Sequence, residues 1–366
     1  MKVEALKEKL QFVIGRVERF SGKHLSLPIL SHFLLTAKRG VLTVRATNLD
    51  MGIEHSLPVK VEREGVIAVP AGLFTSFVAS LRNTRALTLE AEGSTLHVRA
   101  SGAEAQIKGA PPDDFPTIPR AGGASFTLDP GVLVGGVRSV HYAGALGNLK
   151  PELGSVYLYH DGEELVFVAT DSFRLAEKKI PLKRVPATLQ SVLIPVRNAG
   201  ELARLLEGER DEIRVYVGKG QLSLEANGFY VTSRLVEGSF PDYRQIIPKE
   251  FGAEAVVLRD DLLGALKLTS LFSDRFNQLS VRVDPRKKQF ELIARNGEVG
   301  ESTEAIPAAL TGAALESNFN HRYVSDCLQA LHSDSVAFHF GSEHRPLLIT
   351  GVGDASFRYL VMPMNR

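Results

Sequence analysis

The chain has 366 residues, of which 44% are hydrophobic and 23% are charged, a composition that excludes a disordered or fibrous protein. Its net charge of +1 does not by itself require a nucleic-acid or membrane partner, although residues 1–120 carry a net charge of +4 and the rest of the chain is weakly acidic. The one cysteine, Cys327, excludes an internal disulfide and a multi-cysteine zinc site, and the lack of a spanning apolar run or a signal peptide predicts a cytoplasmic protein with no membrane association.

The predicted elements of residues 1–120 are two helices with strands between them. A first helix is predicted over Glu4–Phe20, because apolar residues recur there at helical spacing: Leu6, Leu10, Val13, Ile14 and Val17. Alternating strands follow, separated by turns rich in Gly, Asp and Asn. A second helix is predicted over Pro70–Leu81, and Phe115-Pro116 closes the segment.

The same order of elements returns twice along the chain. Asp129 is a predicted N-cap, because Asp accepts backbone hydrogen bonds at a helix start and Pro130 suits the first helical position. The helices predicted in the second and third segments are Pro130–His141, Pro195–Leu206, Asp260–Phe272 and Asn320–Leu331. Phe240-Pro241 and Met362-Pro363 close these segments as Phe115-Pro116 closes the first.

A short strand phrase sets the period of the repeat. It reads apolar, any residue, apolar, any residue, small, which is typical of a half-buried strand. It occurs six times, at steps of 54, 69, 57, 68 and 57 residues, in Leu42–Ala46, Leu96–Ala100, Leu165–Ala169, Leu222–Ala226, Phe290–Ala294 and Leu347–Gly351. The alternation of short and long steps predicts three copies of one domain, over residues 1–120, 121–245 and 246–366. The predicted fold class is α+β, with two helices and antiparallel sheets in each pseudo-repeated domain.

Residues with catalytic chemistry are few and scattered. The sequence has no glycine-rich phosphate loop, no helical pair of histidines at metal-binding spacing and no Gly-x-Ser-x-Gly motif. An enzyme site at Asp171, Arg174 and Asp242 is one hypothesis, but an ion pair after a strand and an aspartate in a turn are simpler interpretations. The residues favour a non-catalytic binding protein with no metal and no cofactor, and a repeat scaffold that binds only proteins is the second alternative.

Several motifs together indicate a family. They are Leu27-Pro-Ile-Leu30, Ala46-Thr-Asn-Leu-Asp50, Asp114-Phe-Pro116, Ala169-Thr-Asp-Ser-Phe-Arg-Leu-Ala176, Gly238-Ser-Phe-Pro-Asp-Tyr-Arg244, Phe319-Asn320 and Val361-Met-Pro-Met364. With these motifs the chain resembles, over its full length, the bacterial DNA polymerase III beta subunits, the replication sliding clamps. The resemblance implies a head-to-tail homodimeric ring, with helices inside around double-stranded DNA and sheets outside, that tethers the replicative polymerase for processivity. The implied partners are the polymerase III catalytic subunit, an ATP-dependent clamp loader, and other replication and repair proteins that carry a clamp-binding motif.

The resemblance also implies which residues contact DNA. The matching positions are Lys23, His24, Asn148 and Lys150. Further candidate DNA-binding cations on the helices are Lys7, Lys9, Arg16, Arg197 and Arg204, for each of which a solvated helix face is an equal alternative. Pro151 and Glu152 stand where many relatives carry aromatic residues, so a stacking contact to single-stranded DNA is not expected at that loop.

A peptide pocket is implied between the second and third domains. The matching positions are Leu153, Thr170, Ser172, Phe173, Arg174, Leu175, Pro241, Ile246, Leu360, Val361, Met362, Pro363 and Met364. Leucine, isoleucine and methionine make an apolar floor that adapts to several ligands, and Arg174 is expected to bind a ligand carbonyl or carboxylate. For the C-terminal tail alone, a closing edge strand is the alternative. Phe173 and Gln245 replace a histidine and an arginine common in relatives, which predicts a changed partner preference.

A subunit contact is implied between the first domain of one copy and the third domain of the other. The matching positions are Ala105, Ile107, Leu271, Phe272, Glu298, Glu301 and Glu304. Leu73, Gly102 and Glu104 stand where relatives place some of the basic counterparts of the glutamates. The contact is therefore expected to be more apolar and less ionic than in those relatives.

Overall fold

The structure is a computed structural model that describes residues 1–22, 26–122, 125–147, 150–182, 189, 191–341 and 345–364. The chain forms two compact units. One unit comprises Met1–Gly131 and Arg204–Leu235, and the other comprises Val132–Ala203 and Val236–Arg366. None of the helices in the described ranges is long and apolar enough to cross a membrane.

The helices are short. The α-helices of the described residues are α1 Lys7–Val17, α2 Ala71–Ser80, α3 Pro130–Val140, α4 Val196–Leu206, α5 Arg259–Ser270 and α6 His321–Asp326. Single 3₁₀ turns occupy Glu18–Phe20, Pro28–Ser31, Pro112–Asp114, His141–Ala143, Tyr243–Ile246 and Cys327–Gln329. Asp129 caps α3 as predicted, since its Oδ1 accepts a hydrogen bond from the Gly131 amide at 2.7 Å.

Strands are the commonest regular structure in the described residues. The strands are β1 Lys2–Leu6, β2 His32–Lys38, β3 Val41–Thr47, β4 Met51–Pro58, β5 Lys60–Arg63, β6 Gly65–Pro70, β7 Ala86–Glu92, β8 Thr95–Ala100, β9 Ala103–Lys108, β10 Ser125–Leu128, β11 Ser155–Asp161, β12 Glu164–Thr170, β13 Arg174–Pro181, β14 Val192–Pro195, β15 Ile213–Gly218, β16 Gln221–Ala226, β17 Phe229–Arg234, β18 Ala253–Leu258, β19 Gln278–Asp284, β20 Gln289–Asn296, β21 Gly300–Ala305, β22 Ala308–Gly312, β23 Leu315–Asn320, β24 Ser335–Phe340, β25 Leu347–Gly351 and β26 Asp354–Val361. All six copies of the strand phrase lie in strands, namely β3, β8, β12, β16, β20 and β25. Their apolar positions are buried, which is why the alternation is visible in the sequence.

The first unit contains two antiparallel sheets. One has five strands in the order β5-β1-β7-β8-β9, and the other has eight in the order β10-β15-β16-β17-β4-β3-β2-β6. In the larger sheet β17 pairs with β4, with Phe229 opposite His55 and Val231 opposite Ile53. Strands predicted for the first and second domains therefore share one sheet.

The second unit repeats this arrangement. Its larger sheet has nine strands in the order β14-β11-β12-β13-β26-β25-β24-β18-β22, and its smaller sheet has four in the order β21-β20-β19-β23. In the larger sheet β13 pairs with β26, with Arg174 opposite Val361 and Leu175 opposite Leu360. This sheet likewise joins strands predicted for different domains, and the α+β class with internal repetition is confirmed.

Two helix predictions were wrong in part. The start of the predicted first helix is strand β1, in which Val3 and Ala5 are buried while β5 and β7 pair on either side. Backbone pairing to two neighbours outweighs the helical spacing of the apolar residues, which holds only from Lys7 onward. The helix predicted to reach Leu331 is α6, and its α-helical part ends at Asp326, before a 3₁₀ turn.

Candidate functional site

The turn between β12 and β13 presents an exposed phenylalanine on a rigid backbone. Asp171 Oδ1 accepts hydrogen bonds from the amides of Phe173 and Arg174, at 2.9 and 3.0 Å. Thr170 Oγ1 donates to the Arg174 carbonyl at 2.6 Å, and Ser172 occupies the left-handed region with φ of 78°. The turn is thus fixed by its own side chains, while the Phe173 side chain is 62% exposed.

The tail after β26 is held by backbone hydrogen bonds on both sides. The Met362 amide donates to the Phe173 carbonyl at 2.8 Å, and the Met364 amide donates to the Asn318 carbonyl at 2.8 Å. β26 itself lies between β13 and β25 in the nine-stranded sheet, so the alternative of a closing edge strand is wrong. The Met362 side chain remains 37% exposed above this fixed backbone.

A cleft of about 610 Å³ opens beside the tail. Its lining residues are Gln245, Ile246, Ile247, Pro248, Lys249, Glu250, Arg345, Pro346 and Met362. Ile246 is 49% exposed, and Ile247 packs against a buried cluster that includes Leu175 and Leu360. The cleft thus combines an apolar wall with a rim of Lys249, Glu250 and Arg345, which suits a short peptide with an apolar anchor.

The residues predicted for the peptide pocket all lie in the second unit, with different exposures. The buried ones are Leu153, Thr170, Leu175, Leu360 and Val361; the partly exposed ones are Arg174, Pro363 and Met364; the exposed ones are Ser172, Phe173, Pro241, Ile246 and Met362. The pairing of β13 with β26 brings Arg174 and Leu175 beside Val361 and Leu360. Ile246 and Met362 both line the cleft. The other lining residues were missed, although the Ile-Ile-Pro run after Tyr243 was a signal of an apolar segment.

Arg174 is engaged inside the protein rather than open to a ligand. Its Nε donates to Asp171 Oδ2 at 3.0 Å, and its Nη1 donates to Asp326 Oδ2 at 2.5 Å. The guanidinium lies 4.3 Å from the centre of the Tyr323 ring, and the side chain is 10% exposed. Burial acts to lower the pKa of Arg174, but Tyr359 and the two aspartates outweigh it and raise the pKa. A ligand that used this arginine would have to displace Asp171 or Asp326 from it.

These contacts also argue against the enzyme hypothesis. Asp171 uses one carboxylate oxygen for backbone amides and the other for Arg174, and Asp242 accepts a hydrogen bond from Gln245 at 2.6 Å. The sequence did not indicate Asp326 or Tyr323 as partners of Arg174. Both lie on α6, about 150 residues further along the chain, and contact Arg174 only in the folded protein. Among the described residues, no group of His, Cys, Asp and Glu side chains is placed to hold a metal ion.

The residues predicted for a subunit contact lie at two sheet edges. Ala105 and Ile107 belong to β9, an edge strand of the five-stranded sheet, and Glu301 and Glu304 belong to β21, an edge strand of the four-stranded sheet. Leu271 follows α5 and is 71% exposed. Phe272 is partly exposed and Glu298 is exposed. Glu301 forms an ion pair with Arg295 at 3.0 Å, and Glu304 accepts from Ser302 at 2.9 Å, so the acidic row is partly satisfied within its own chain.

The predicted DNA-contacting cations are not equivalent. Lys150 and Arg197 are exposed, and so is Lys9 on α1. Arg16 instead forms an ion pair with Glu209 at 2.7 Å and lies 5.1 Å from two phenylalanine rings, so it is structural. Lys23, His24 and Asn148 lie outside the described residues.

Comparison with known proteins gives one consistent result. Family models of the DNA polymerase III beta subunit match the chain at residues 1–119 (N-terminal domain), 127–242 (central domain) and 244–365 (C-terminal domain). The chain is 31% identical to the beta sliding clamp of Synechococcus elongatus, over 100% of this chain and 99% of that protein, and 29% identical to that of Escherichia coli K12, over 100% of both.

Solved structures agree. The fold matches the DNA polymerase sliding clamp from Bacillus subtilis with a TM-score of 0.94 at 24% identity, covering 100% of this chain and 99% of that one. It matches sliding clamps bound to griselimycin from Pseudomonas aeruginosa and Bartonella birtlesii, each with a TM-score of 0.93, at 25% and 27% identity, covering 100% of both chains. The chain therefore belongs to the DNA polymerase III beta subunit family, the beta sliding clamps, which are non-catalytic processivity factors of DNA replication.

Proposed function

We propose that two copies of this chain close head to tail into a ring that encircles duplex DNA in the cytoplasm and tethers the replicative polymerase to it. The proposed domains are residues 1–120, 121–245 and 246–366 of each copy. The observation that carries the proposal is the way the strands of the predicted domains are shared among the four sheets. The eight-stranded and nine-stranded sheets each bridge two of these domains, whereas the five-stranded and four-stranded sheets each stop within one.

The edges of the two smaller sheets favour a particular pairing. β5 is a four-residue edge strand with three charged residues, which discourages pairing, and the outer side of β23 is partly occupied by the Met364 amide. β9 and β21 are both six residues long and have no outer partner among the described strands. Joining β9 of one copy to β21 of the other would give a sheet of nine strands, the size already formed within the chain.

Apolar side chains near β21 would seal this contact. Leu271 is 71% exposed and Val299, directly before β21, is 61% exposed, so both side chains are available to a partner. Phe272, Glu298, Glu301 and Glu304 would surround them, facing Ala105, while Ile107 of the same strand is only 3% exposed and would support this edge from within its own chain. Apolar burial would supply most of the affinity, because Glu301 already has a partner in its own chain.

Enclosure would hold the DNA, so the inner surface needs only weak contacts. Lys9, Lys150 and Arg197 are exposed cations that suit phosphate contacts, and Lys23, His24 and Asn148 belong to the same proposed set. Non-specific contacts of this kind have a Kd of about 10⁻⁴–10⁻⁶ M, which permits sliding. A base-reading helix would oppose that motion.

The cleft beside Met362 is proposed to bind a short motif of the polymerase III catalytic subunit, of the ATP-dependent clamp loader, and of other replication and repair proteins. Ile246 and Met362 give an adaptable apolar floor. Phe173, whose carbonyl accepts a hydrogen bond from the Met362 amide, adds an exposed aromatic ring beside it. The griselimycin-bound clamps of Pseudomonas aeruginosa and Bartonella birtlesii support a ligand site in this fold.

Retention on nicked circular DNA, measured after loading and again after linearising the circle, tests the proposal. We expect the loaded protein to stay on the circle and to leave once the DNA has ends, because only enclosure depends on topology. Equal retention on circular and linear DNA would mean direct binding. No retention after verified loader activity would favour the protein-binding scaffold.

A further inference from the structure

A chain of hydrogen bonds fixes the segment that supplies most of the cleft wall. Tyr243 Oη donates to Glu177 Oε2 at 2.5 Å, and Tyr159 Oη lies 2.8 Å from Tyr243 Oη. Arg244 Nη2 donates to Tyr159 Oη at 3.0 Å. These contacts tie the 3₁₀ turn around Tyr243 to strands β11 and β13 of the nine-stranded sheet.

The chemistry of the end groups determines which group donates in each of these hydrogen bonds. A guanidinium only donates and a carboxylate only accepts, so Arg244 donates to Tyr159, Tyr159 to Tyr243, and Tyr243 to Glu177. Tyr243 and Glu177 are 5% and 3% exposed. Burial and the neighbouring carboxylate both raise the pKa of Tyr243, so its phenol stays protonated and remains a donor. Removing its hydroxyl would leave a buried carboxylate oxygen without this donor.

Aromatic stacking secures the same segment from its other end. Phe240 stacks on Tyr157 at 4.9 Å and 11°, and Tyr157 stacks on Tyr159 at 4.8 Å and 26°. Ile247 packs on the buried cluster that contains Tyr243. Ile246, which lines the cleft, therefore lies between anchored neighbours on both sides.

We propose that Tyr243 is a positioning residue for the cleft, and that its hydroxyl, held between Tyr159 and Glu177, keeps the wall bearing Ile246 in its ligand-binding position. This inference rests on the proposed function of the cleft. A ligand that binds a wall already in its binding position does not lose free energy in ordering that wall. If the wall is open in part of the molecules, the apparent Kd rises by the inverse of the fraction that can bind.

The other compact unit offers a matched control. Tyr230 of β17 is also 5% exposed, and its hydroxyl donates to the Pro119 carbonyl at 3.0 Å. Tyr230→Phe likewise removes a hydroxyl from a buried tyrosine that fixes a segment between two predicted domains. That segment, at Pro119, does not line the cleft. This variant separates an effect on the cleft from a general loss of stability.

Griselimycin binding measured by calorimetry, with hydrogen exchange over residues 240–250, tests the inference. We expect Tyr243→Phe to raise the griselimycin Kd about tenfold and to speed exchange in this segment, while Tyr230→Phe changes the Kd less than about twofold. Ile246→Ala should also weaken binding, which ties the probe to the cleft.

Two outcomes would overturn the positioning role. One is an unchanged Kd in Tyr243→Phe while Ile246→Ala weakens binding. The other is exchange over residues 240–250 that is no faster in Tyr243→Phe than in Tyr230→Phe. If the wild-type protein fails to bind griselimycin, the peptide-binding proposal is weakened, and the exchange comparison still decides the role of Tyr243.

Discussion

His55 is buried in an aromatic cluster where β4 meets β17. It is 4% exposed, and its ring lies 6.2 Å from that of Phe12 and 5.8 Å from that of Phe229. Burial, together with the nearby Arg16, lowers the pKa of His55 to about 4. The imidazole is therefore neutral at pH 7 and packs against Phe12 and Phe229, with its Nδ1 buried and without a hydrogen-bond partner among the described residues.

Acid should weaken this cluster. Because the pKa is lower in the folded chain than in the unfolded one, the stability contributed by neutral His55 is complete above about pH 6.5 and is lost as the pH falls toward about 4. His55→Leu should remove this acid sensitivity, which amounts to up to about 3 kcal/mol of unfolding free energy near pH 4. Urea midpoints followed between these pH values would measure it.

His160 provides the control for that series, since it is exposed on β11. His160→Leu should leave the pH dependence of the urea midpoint as it is in the wild type. An acid slope that persists unchanged in His55→Leu would assign the titration to another group.

Helix α3 packs closely on the nine-stranded sheet through a glycine. A Cβ added at Gly136 would overlap the ring of Phe167 on β12, whereas a Cβ added at the adjacent Gly135 meets nothing within 4 Å. The two glycines have the same sequence neighbourhood and opposite structural roles. One permits the approach of helix to sheet, and the other is a weak point in a helix.

Paired alanine substitutions would reveal this difference. Gly136→Ala should destabilise the protein by about 1–3 kcal/mol, because the helix must move away from Phe167. Gly135→Ala should be neutral or stabilising by up to about 1 kcal/mol through helix propensity. Thermal and urea unfolding of the two variants would test the expectation, and equal effects would mean that α3 does not pack as described.

Sequence patterns predicted the elements well where local burial determines them. The strand phrase works because one face of each strand is buried, and Asp129 and Pro130 mark the start of α3 by local chemistry alone. Glu4–Leu6 was misassigned because β1 depends on pairing with β5 and β7. The partners of Arg174 could not be predicted for a similar reason, because Asp326 is about 150 residues away in sequence and contacts it only in the folded protein.

At the scale of the whole molecule, the proposed contact joins β9 at the edge of the five-stranded sheet to β21 at the edge of the four-stranded sheet, and the side chains near β21 favour apolar burial over ion pairs. Leu271 and Val299 are exposed apolar residues, while Glu301 is already paired within the chain. The peptide positions and the subunit positions were predicted from family resemblance rather than from residue chemistry. Spacing along the chain indicates a repeat but does not indicate which strand edge remains open.

The proposed dimer should resist salt. Size-exclusion chromatography at about 1 M salt, where the screening length falls to about 3 Å, should still show a dimer, because screening weakens ion pairs but not apolar burial. Leu271→Glu should give a monomer by placing a charge in the contact. Val352→Glu, at another exposed apolar residue of the second unit, should remain dimeric. A monomer at high salt would indicate that ion pairs hold the contact.

The position of β26 in the middle of the nine-stranded sheet has a consequence for synthesis on the ribosome. β13 is made before its neighbour β26, which emerges only after β14–β25. Throughout that interval the nascent chain carries β13 as an open edge able to pair with the wrong strand. The joint between β13 and β26 can therefore form only after β26 has been made, whereas β26 pairs with β25, its neighbour in sequence, as soon as it emerges.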